Sequence, residues 1–527
     1  MRVAVAQRAR QVSRFAEIPA PVHGLVLNRA VAKPDPASAE YLENWFPTQR
    51  GIRVRGGLDR AAFVTDPVVS LFSYAHPTSP AFFAATADSI YDITSLDPIN
   101  APTADVTSQT AGYYSTAQIG TVGGEFLYAV NGADKAQLFG GGSWTQIDGA
   151  STPSITGVTT SDLSYVWKYR SRLFFVEKDS KTAWYLPVDS VGGAAASVGL
   201  SGVFQRGAPL LFGATWSLDS GNGLDDKCVF VSEDGEVAIY QGADPSDAND
   251  WRLVGRYDIA KPLGQKCHIQ AGGDLLIGTV DGIVPISQAI QKDPAALSLA
   301  AISRPISTLW AFEAVRDTSG HVELLKWPER GLCMVSLPDA DRMLAVNIQT
   351  GGWGIASAWE SDCSATFLGK AYIGRSDGRI MAIDETGMDD TEPFTAKYCH
   401  SFFALGGEAT YKRAQMVRCA FFAPGDFTYL ASISADYTVE FPTAPGAADV
   451  DLSGDYMTWD VSNWDEALWW SPAVEEQSLG VTSEWRSVTG AGYALAPCIQ
   501  VTSGSTQKLN VELVRVDMAY EVGGAVV

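Results

Sequence analysis

The sequence lacks any apolar run long enough to cross a membrane as a helix. Such a helix needs about 18 consecutive apolar residues, and no window of the 527-residue chain approaches that length. The first 22 residues carry several arginines but not the apolar core of a secretory signal. We therefore expect a chain that does not insert into a membrane and is not exported by such a signal.

Cationic residues are also scarce. The chain has 38 Lys and Arg against 60 Asp and Glu, which gives a formal net charge of −22. Affinity for DNA or RNA comes from cationic side chains that displace counterions from phosphates. The composition therefore disfavours a protein that grips nucleic acid, although it allows one that DNA passes by.

Cysteine and histidine occur in no catalytic or metal-binding pattern. The seven cysteines are odd in number and contain no CxxC, and the five histidines are scattered. The sequence has no HExxH, no GxSxG nucleophile elbow and no phosphate-binding loop of the GxxxxGK[ST] type. We predict reduced, mostly buried thiols, no cofactor and no enzymatic activity.

A repeated hairpin is abundant instead. Residues 229–240 are two runs of β-branched and aromatic residues joined at Asp234-Gly235, where we predict a type I′ turn with positive φ at the glycine. The pattern recurs with turns at Asp281-Gly282, Asp377-Gly378, Asp88-Ser89, Asn131-Gly132, Asp179-Ser180 and residues 339–341. A small sheet repeated about every 40–50 residues predicts a β-propeller, here of six or seven blades.

The hairpin pattern stops after Asp390. We predict an all-β chain: a basic N-terminal arm (residues 1–26), a segment for docking or blade closure (27–59), the propeller (60–390) and a C-terminal β-rich, sandwich-like domain (391–527). The arm is expected to be flexible or weakly helical, or to pack on a partner or neighbouring subunit. Residues 288–301 read as a helical or irregular insertion.

Propeller enzymes keep one alternative function open. Propeller glycosidases need two carboxylates several ångströms apart, and 60 acidic residues supply many accidental pairs. The sialidase pattern SxDxGxxW is not matched, because Asp234 and Gly235 are adjacent after Ser232 and the tryptophan is missing. A carbohydrate-active hydrolase is therefore the second alternative.

Four motifs occur in the order found in a known family. They comprise residues 39–47 (with Asn44-Trp-Phe-Pro47) followed by 51–57, residues 281–287 followed by 301–306, residues 347–353, and residues 387–390. In this order they resemble the tail nozzle proteins of short-tailed bacteriophages, also called tail tubular protein B. By physics alone the first motif reads as a short helical turn stopped by Pro47, then an edge strand.

The resemblance implies a structural virion protein of the phage tail, assembled in the host cytoplasm. It implies a homo-oligomeric ring, hexameric in that family, that docks beneath the tail adaptor, extends the portal channel, retains the genome and conducts DNA during ejection. Tail fibres are a further partner that this role allows. With −22 per copy, an acidic lumen lets the duplex slide without specific binding.

Two groups of residues are candidates for docking or assembly. The first motif supplies Asn44, Trp45, Phe46, Pro47, Arg53 and Arg55, and an aromatic stretch of the C-terminal domain supplies Trp464, Trp469 and Trp470. Tryptophan is enriched at interfaces, although this spacing is also typical of core packing. An alternative function is a propeller-type receptor-binding or scaffold component of the tail, which needs an exposed aromatic or polar groove on a blade face.

One loop has the ligand spacing of a calcium site. Oxygen-bearing residues stand at positions 1, 3, 5, 7 and 12 with glycine at position 6, and they are Asp449, Asp451, Ser453, Asp455 and Asp460. Aspartate at position 12 is shorter than the usual bidentate glutamate, and no flanking helices are evident. A solvated loop is the competing interpretation, and we predict no required metal.

Overall fold

The computed structural model describes residues 13–28, 35–217, 226–407, 409–424, 427–447 and 480–523. The chain divides into two compact units. We call residues 60–344 and 358–383 the propeller unit, and residues up to 59, 345–357 and from 384 onward the sandwich unit. Nearly all of the regular secondary structure in the described residues is β-strand, which confirms the predicted all-β class. Within those ranges no helix is both long and apolar enough to cross a bilayer.

Five strands precede or begin the propeller unit. They are β1 (Ser13–Pro19), β2 (Ala39–Glu43), β3 (Trp45–Pro47), β4 (Ile52–Val54) and β5 (Gly57–Phe63).

Six small sheets and the first three strands of an eight-stranded sheet form the blades of the propeller unit in its described residues. Sheet by sheet, their strands are β6 (Ser70–Tyr74), β7 (Ala81–Ala85), β8 (Ile90–Asp92), β9 (Ala104–Val106); β10 (Ser115–Thr121), β11 (Gly124–Val130), β12 (Ala136–Gly140), β13 (Ser143–Ile147); β15 (Leu163–Tyr169), β16 (Arg172–Glu177), β17 (Thr182–Tyr185), β19 (Ala196–Gly199); β20 (Leu210–Trp216), β21 (Lys227–Ser232), β22 (Glu236–Gln241), β23 (Arg252–Asp258); β24 (His268–Ala271), β25 (Asp274–Thr279), β26 (Gly282–Pro285); β27 (Glu323–Trp327), β28 (Leu332–Ser336), β29 (Arg342–Asn347); and β31 (Cys363–Phe367), β32 (Lys370–Gly374), β33 (Arg379–Thr386).

Short elements complete the unit. A parallel pair joins β14 (Ile155–Thr156) to β18 (Gly193–Ala194). The insertion predicted at residues 288–301 overlaps α1 (Ile286–Gln291) and includes the 3₁₀ helix Pro294–Leu299. The helix α2 (Ser307–Glu313) follows it. The other 3₁₀ helices are Thr160–Asp162, Arg304–Ile306 and Pro328–Arg330.

The ring closes between its first and last sheets. The seventh sheet takes its fourth strand, β5, from the start of the unit, and β31 packs against β6. Across this junction the rings of Phe82 and Phe367 stack, with centroids 5.0 Å apart. The first and last blades therefore bury apolar side chains against each other, as a closed repeat architecture requires, and the described residues form seven blades.

The predicted hairpins are present, but the turn type differs. Gly235 and Gly378 have φ of +89° and +82°, whereas Asp234 and Asp377 are not among the residues with positive φ. The amide of Gly235 donates to the Ser232 carbonyl at 3.1 Å. These are three-residue loops in which a type I turn is followed by a left-handed glycine. The type I′ prediction is wrong because only one residue needs positive φ.

The sandwich unit contains two sheets. Its remaining strands are β30 (Trp353–Ser357), β34 (Phe394–His400), β35 (Lys412–Ala423), β36 (Leu430–Ala435), β37 (Gly480–Gly492), β38 (Leu495–Ser503) and β39 (Glu512–Val522). One sheet has the order β3-β4-β39-β35-β37 with β1 on β39, and the other includes β30-β2-β34-β38-β36. The sheets contact each other along β36 and β37, which agrees with the predicted sandwich-like domain.

Two local predictions at the N-terminus differ from the structure. Ser13–Pro19 is a strand paired antiparallel with β39, not a flexible or weakly helical tail; residues 1–12 of the predicted arm lie outside the described residues. Residues 45–47 form a strand rather than a helical turn, because Trp45 and Pro47 pair with Val54 and Ile52 of β4. In both segments the pairing with another strand, β39 for β1 and β4 for β3, favours the extended conformation.

Candidate assembly site

Asn44 fixes the junction between β2 and β3. It is buried and has φ of +62°, a left-handed conformation that asparagine tolerates better than most residues. Its Nδ2 donates to Ser357 Oγ and to the Thr395 carbonyl, both at 2.8 Å, and its Oδ1 accepts from Arg55 Nε at 2.7 Å. One amide thus ties the first motif to strands 313 and 351 residues later.

Arg55 is a fully buried cation with a bidentate partner. Its Nη1 and Nη2 donate to Asp389 Oδ1 and Oδ2 at 2.8 and 2.7 Å. Nη2 also donates to the Ser357 carbonyl at 2.9 Å, and the guanidinium lies 3.9 Å from the centre of the Phe394 ring. A buried charge is tolerated when it is paired and hydrogen-bonded in this way.

Asp384 is a second buried carboxylate of the sandwich unit. Asp384 is completely buried, and its Oδ1 accepts from Arg53 Nη1 at 3.0 Å and from the Gly56 amide. Lys508 Nζ lies 3.6 Å from Asp384 Oδ2. We call Asn44, Arg53, Arg55, Ser357, Asp384 and Asp389 the motif cluster.

Hydrogen bonds within and beside the motif cluster join three of the four motifs that carry the family resemblance. Arg55 joins the first motif to the fourth through Asp389. Asn347 Nδ2 donates to the Pro47 carbonyl at 2.9 Å, which joins the third motif to the first. A Cβ on Gly57 would lie 1.9 Å from the Met388 carbonyl oxygen, so only glycine allows this approach. Sequence reasoning singled out Asn44, Arg53 and Arg55 but missed the acidic partners.

The other residues predicted for assembly lie elsewhere. Trp45, Phe46 and Pro47 are buried in the sandwich unit, so they shape the unit and are not free to contact a partner in this structure. The tryptophans of the aromatic stretch (Trp464, Trp469 and Trp470) and the calcium candidates (Asp449, Asp451, Ser453, Asp455 and Asp460) lie outside the described residues. Among the residues that are described, no three His, Cys, Asp or Glu side chains group as a metal site.

One sheet face of the sandwich unit exposes apolar side chains. Strand register places Phe15, Met416 and Trp485 on the same face, and they are 69%, 38% and 38% exposed. The Phe15 and Trp485 rings meet edge to face with centroids 5.9 Å apart. Beside them Arg418 Nη2 donates to Asp517 Oδ2 at 2.6 Å. We call Phe15, Met416 and Trp485 the exposed aromatic face, a surface of the kind that marks protein contacts.

A polar cluster lies at the centre of the propeller unit. Lys266 Nζ donates to Glu323 Oε1 at 2.9 Å and to Ser70 Oγ at 3.4 Å, and it lies 4.3 Å from the centre of the Tyr113 ring. Tyr113 in turn stacks on His321, with centroids 3.9 Å apart. Ser70 and Lys266 belong to the first and fifth blades, which are not neighbours, so these side chains meet near the propeller axis. A glycosidase needs a second carboxylate opposite the first, whereas the partner of Glu323 here is a lysine.

A groove opens on the rim of the propeller unit. Its volume is about 570 Å³, and the lining includes Tyr74, His76, Pro77, Pro328 and Leu368. Leu368 is 72% exposed, and the Tyr74 and His76 rings stack with centroids 5.7 Å apart. Aromatic side chains line the grooves in which some domains bind extended, proline-rich peptides.

We expect one histidine in each unit to make that unit sensitive to acid: His400 is buried, and His268 is half-buried. Burial lowers the pKa of His268 in the propeller unit and of His400 in the sandwich unit to about 4 each. In the unfolded state each histidine takes up a proton below about pH 6.5, whereas in the folded state it stays neutral down to about pH 4. The free energy of unfolding is therefore highest above about pH 6.5 and falls as the pH drops towards about 4. Each histidine should cost about 3 kcal/mol over this range.

Hydrogen exchange at pH 7 and pH 4.5 checks this expectation unit by unit. His268→Gln should reduce the acid-induced rise in exchange in the propeller unit and leave that of the sandwich unit unchanged, and His400→Gln should do the reverse. Equal acid sensitivity of both variants and the wild type in both units would contradict it.

Comparison with known proteins identifies no family. No protein-family model matches the chain, and no curated protein sequence matches it. Among solved structures, the chain is similar to the β-propeller domain of Myceliophteria thermophila Cps50 (Swd1), at 11% identity over 63% of this chain and 100% of that one, with a TM-score of 0.39. It is also similar to Saccharomyces cerevisiae Sqt1, at 12% identity over 62% and 99% with a TM-score of 0.36, and to the computationally designed Ika8, at 10% identity over 62% and 99% with a TM-score of 0.35.

Proposed function

We propose that this protein is a structural virion protein, the tail nozzle of a short-tailed bacteriophage. In this proposal copies of the chain assemble in the host cytoplasm as a hexameric ring beneath the tail adaptor. The ring extends the portal channel, holds back the packaged genome and conducts DNA during ejection, with tail fibres as a further partner. No catalytic step is part of the proposal.

The observation that carries the proposal is the motif cluster. Residues of the first and fourth motifs, Arg55 and Asp389, are more than 330 positions apart and yet form one buried ion pair, which supports treating the motifs as parts of one structural signature. The buried Asn44 amide and the Arg55–Asp389 ion pair depend on each other's positions. Residues from two of the motifs that resemble the nozzle family thus contact each other in the motif cluster.

Two further features support assembly around a channel. The exposed aromatic face offers apolar surface for a neighbouring copy, with Phe15 on the edge strand β1. In this proposal the conduit for a duplex forms between copies of the chain and not through the propeller, where Lys266 and Glu323 form an ion pair. With −22 on every copy, such a conduit holds no deep electrostatic well for phosphate.

Mass photometry of the purified chain, alone and with the adaptor ring, tests the proposal. We expect a species of six copies of the 56.4-kDa chain, at least when the adaptor is present. Phe15→Glu should abolish that species and leave a folded monomer, because a carboxylate on the exposed aromatic face would be buried without a partner in the ring.

Val122→Glu is the matched control. Val122 is fully exposed in the propeller unit, so this variant carries the same added charge and should still assemble. A wild-type chain that stays monomeric with the adaptor, and that is missing from purified virions, would overturn the proposal.

The groove beside His76 favours one second candidate, a receptor-binding or scaffold component of the tail. Its stacked Tyr74 and His76 rings and the exposed Leu368 suit an extended peptide. In that case the chain should act without a ring, and Leu368→Asp should abolish partner binding, whereas Phe15→Glu should not.

A further inference from the structure

Two cysteines of the sandwich unit face each other across adjacent strands. Cys399 of β34 lies directly opposite Cys498 of β38 in the antiparallel register. Both side chains are completely buried, and their Sγ atoms are 2.6 Å apart. Atoms that are not bonded rest at about 3.5–4.0 Å from each other, whereas a disulfide bond is about 2.05 Å long.

The surroundings leave the two sulfurs little room to separate. The pair lies in a small apolar cluster with Phe402, Ala494 and Ala496. On its other side Cys498 Sγ contacts Ser434 Oγ of β36 at 3.1 Å. Residues directly opposite in a sheet have Cβ atoms about 4.5–5.5 Å apart, and a disulfide needs about 3.5–4.5 Å, so a small approach of the two strands is enough to form the bond.

We propose that Cys399 and Cys498 form a cross-strand disulfide under oxidising conditions. The inference does not depend on the proposed function. The oxidant is a small-molecule disulfide such as oxidised glutathione. One cysteine thiolate attacks a sulfur of the oxidant and releases one thiolate, and the second cysteine thiolate then displaces the other. The protein loses two protons and two electrons, and the oxidant becomes two thiols.

The reaction has to precede the final packing of the unit. Burial raises the pKa of Cys399 well above its usual value, and a buried thiol is a poor nucleophile. We therefore expect the bond to form while β38 is undocked, during folding or transient opening. It would close a loop between residues 99 positions apart, and long loops gain the most from closure.

Refolding from urea with oxidised glutathione, followed by alkylation under denaturing conditions and peptide mass spectrometry, tests the proposal. We expect five alkylated cysteines instead of seven, a peptide pair linking Cys399 to Cys498, and a melting temperature several degrees above that of the reduced protein. Seven alkylated thiols in a protein that has refolded under oxidant, or a link to a different cysteine, would overturn it.

Cys419 provides the matched control. It is buried in the same unit but lies opposite Glu484 and Val516, not opposite a cysteine. Cys419→Ser should keep the link, whereas Cys498→Ser should leave all remaining thiols open to alkylation. Because the wild-type peptide map decides the outcome by itself, a variant that fails to fold does not obscure it.

Discussion

Replacing Asp389 with alanine should destabilise the sandwich unit by about 3–5 kcal/mol, because it removes the carboxylate that forms a bidentate ion pair with the buried Arg55 guanidinium. Arg55 has no exposed side-chain surface, and the Asp389 carboxylate accepts a hydrogen bond from each of its terminal nitrogens. Hydrogen exchange in peptides from β30 and β34, whose residues contact the guanidinium, provides the measurement.

The double variant Arg55→Met with Asp389→Leu shows whether the loss in Asp389→Ala comes from the unbalanced charge or from the lost packing volume. Replacing a whole buried ion pair by apolar residues of similar size is often close to neutral, so the double variant should be more stable than Asp389→Ala. Glu484→Ala is the exposed control, because Glu484 is 71% exposed and lies 3.9 Å from Arg486; it should cost less than about 1 kcal/mol. Equal losses in Asp389→Ala and Glu484→Ala would show that the pair is not structurally important.

The propeller could be predicted from the sequence because its information is local. Each hairpin joins two neighbouring runs through a turn that the sequence marks, as at Asp234-Gly235 and Asp377-Gly378, and the repeat distance then indicates the architecture. The predicted type I′ turn and the observed three-residue loop both connect two antiparallel strands. The error in turn type therefore left the predicted strand pairing correct.

The sandwich unit could not be predicted in the same way. Its β2 lies beside β34 and its β4 beside β39, and no local pattern specifies partners so distant in sequence. The partner of Arg55 was hidden for the same reason: residues 387–390 carried a family motif, but nothing in it assigned Asp389 to an arginine 334 residues earlier. The exposed aromatic face was equally invisible, since Phe15, Met416 and Trp485 become neighbours only through strand register.

The junction that closes the ring offers the second large effect. Phe82 is completely buried, stacks on Phe367 and has the Tyr372 ring 5.0 Å away. Phe82→Ala should destabilise the propeller unit by about 3–5 kcal/mol, the usual cost of deleting a core phenylalanine. Phe312→Ala is the control, because Phe312 is 57% exposed and should change stability by less than about 1 kcal/mol.

A double-mutant cycle shows whether the two ends of the ring are in contact. Phe82 belongs to the first blade and Phe367 to the seventh, so their interaction exists only when the propeller is closed. Phe82→Ala, Phe367→Ala and the double variant, compared by urea unfolding, should give a coupling of about 1 kcal/mol, the range measured for stacked aromatic pairs. Strictly additive losses would mean that the first and last blades do not meet in solution, and an open array of blades would then replace the closed ring.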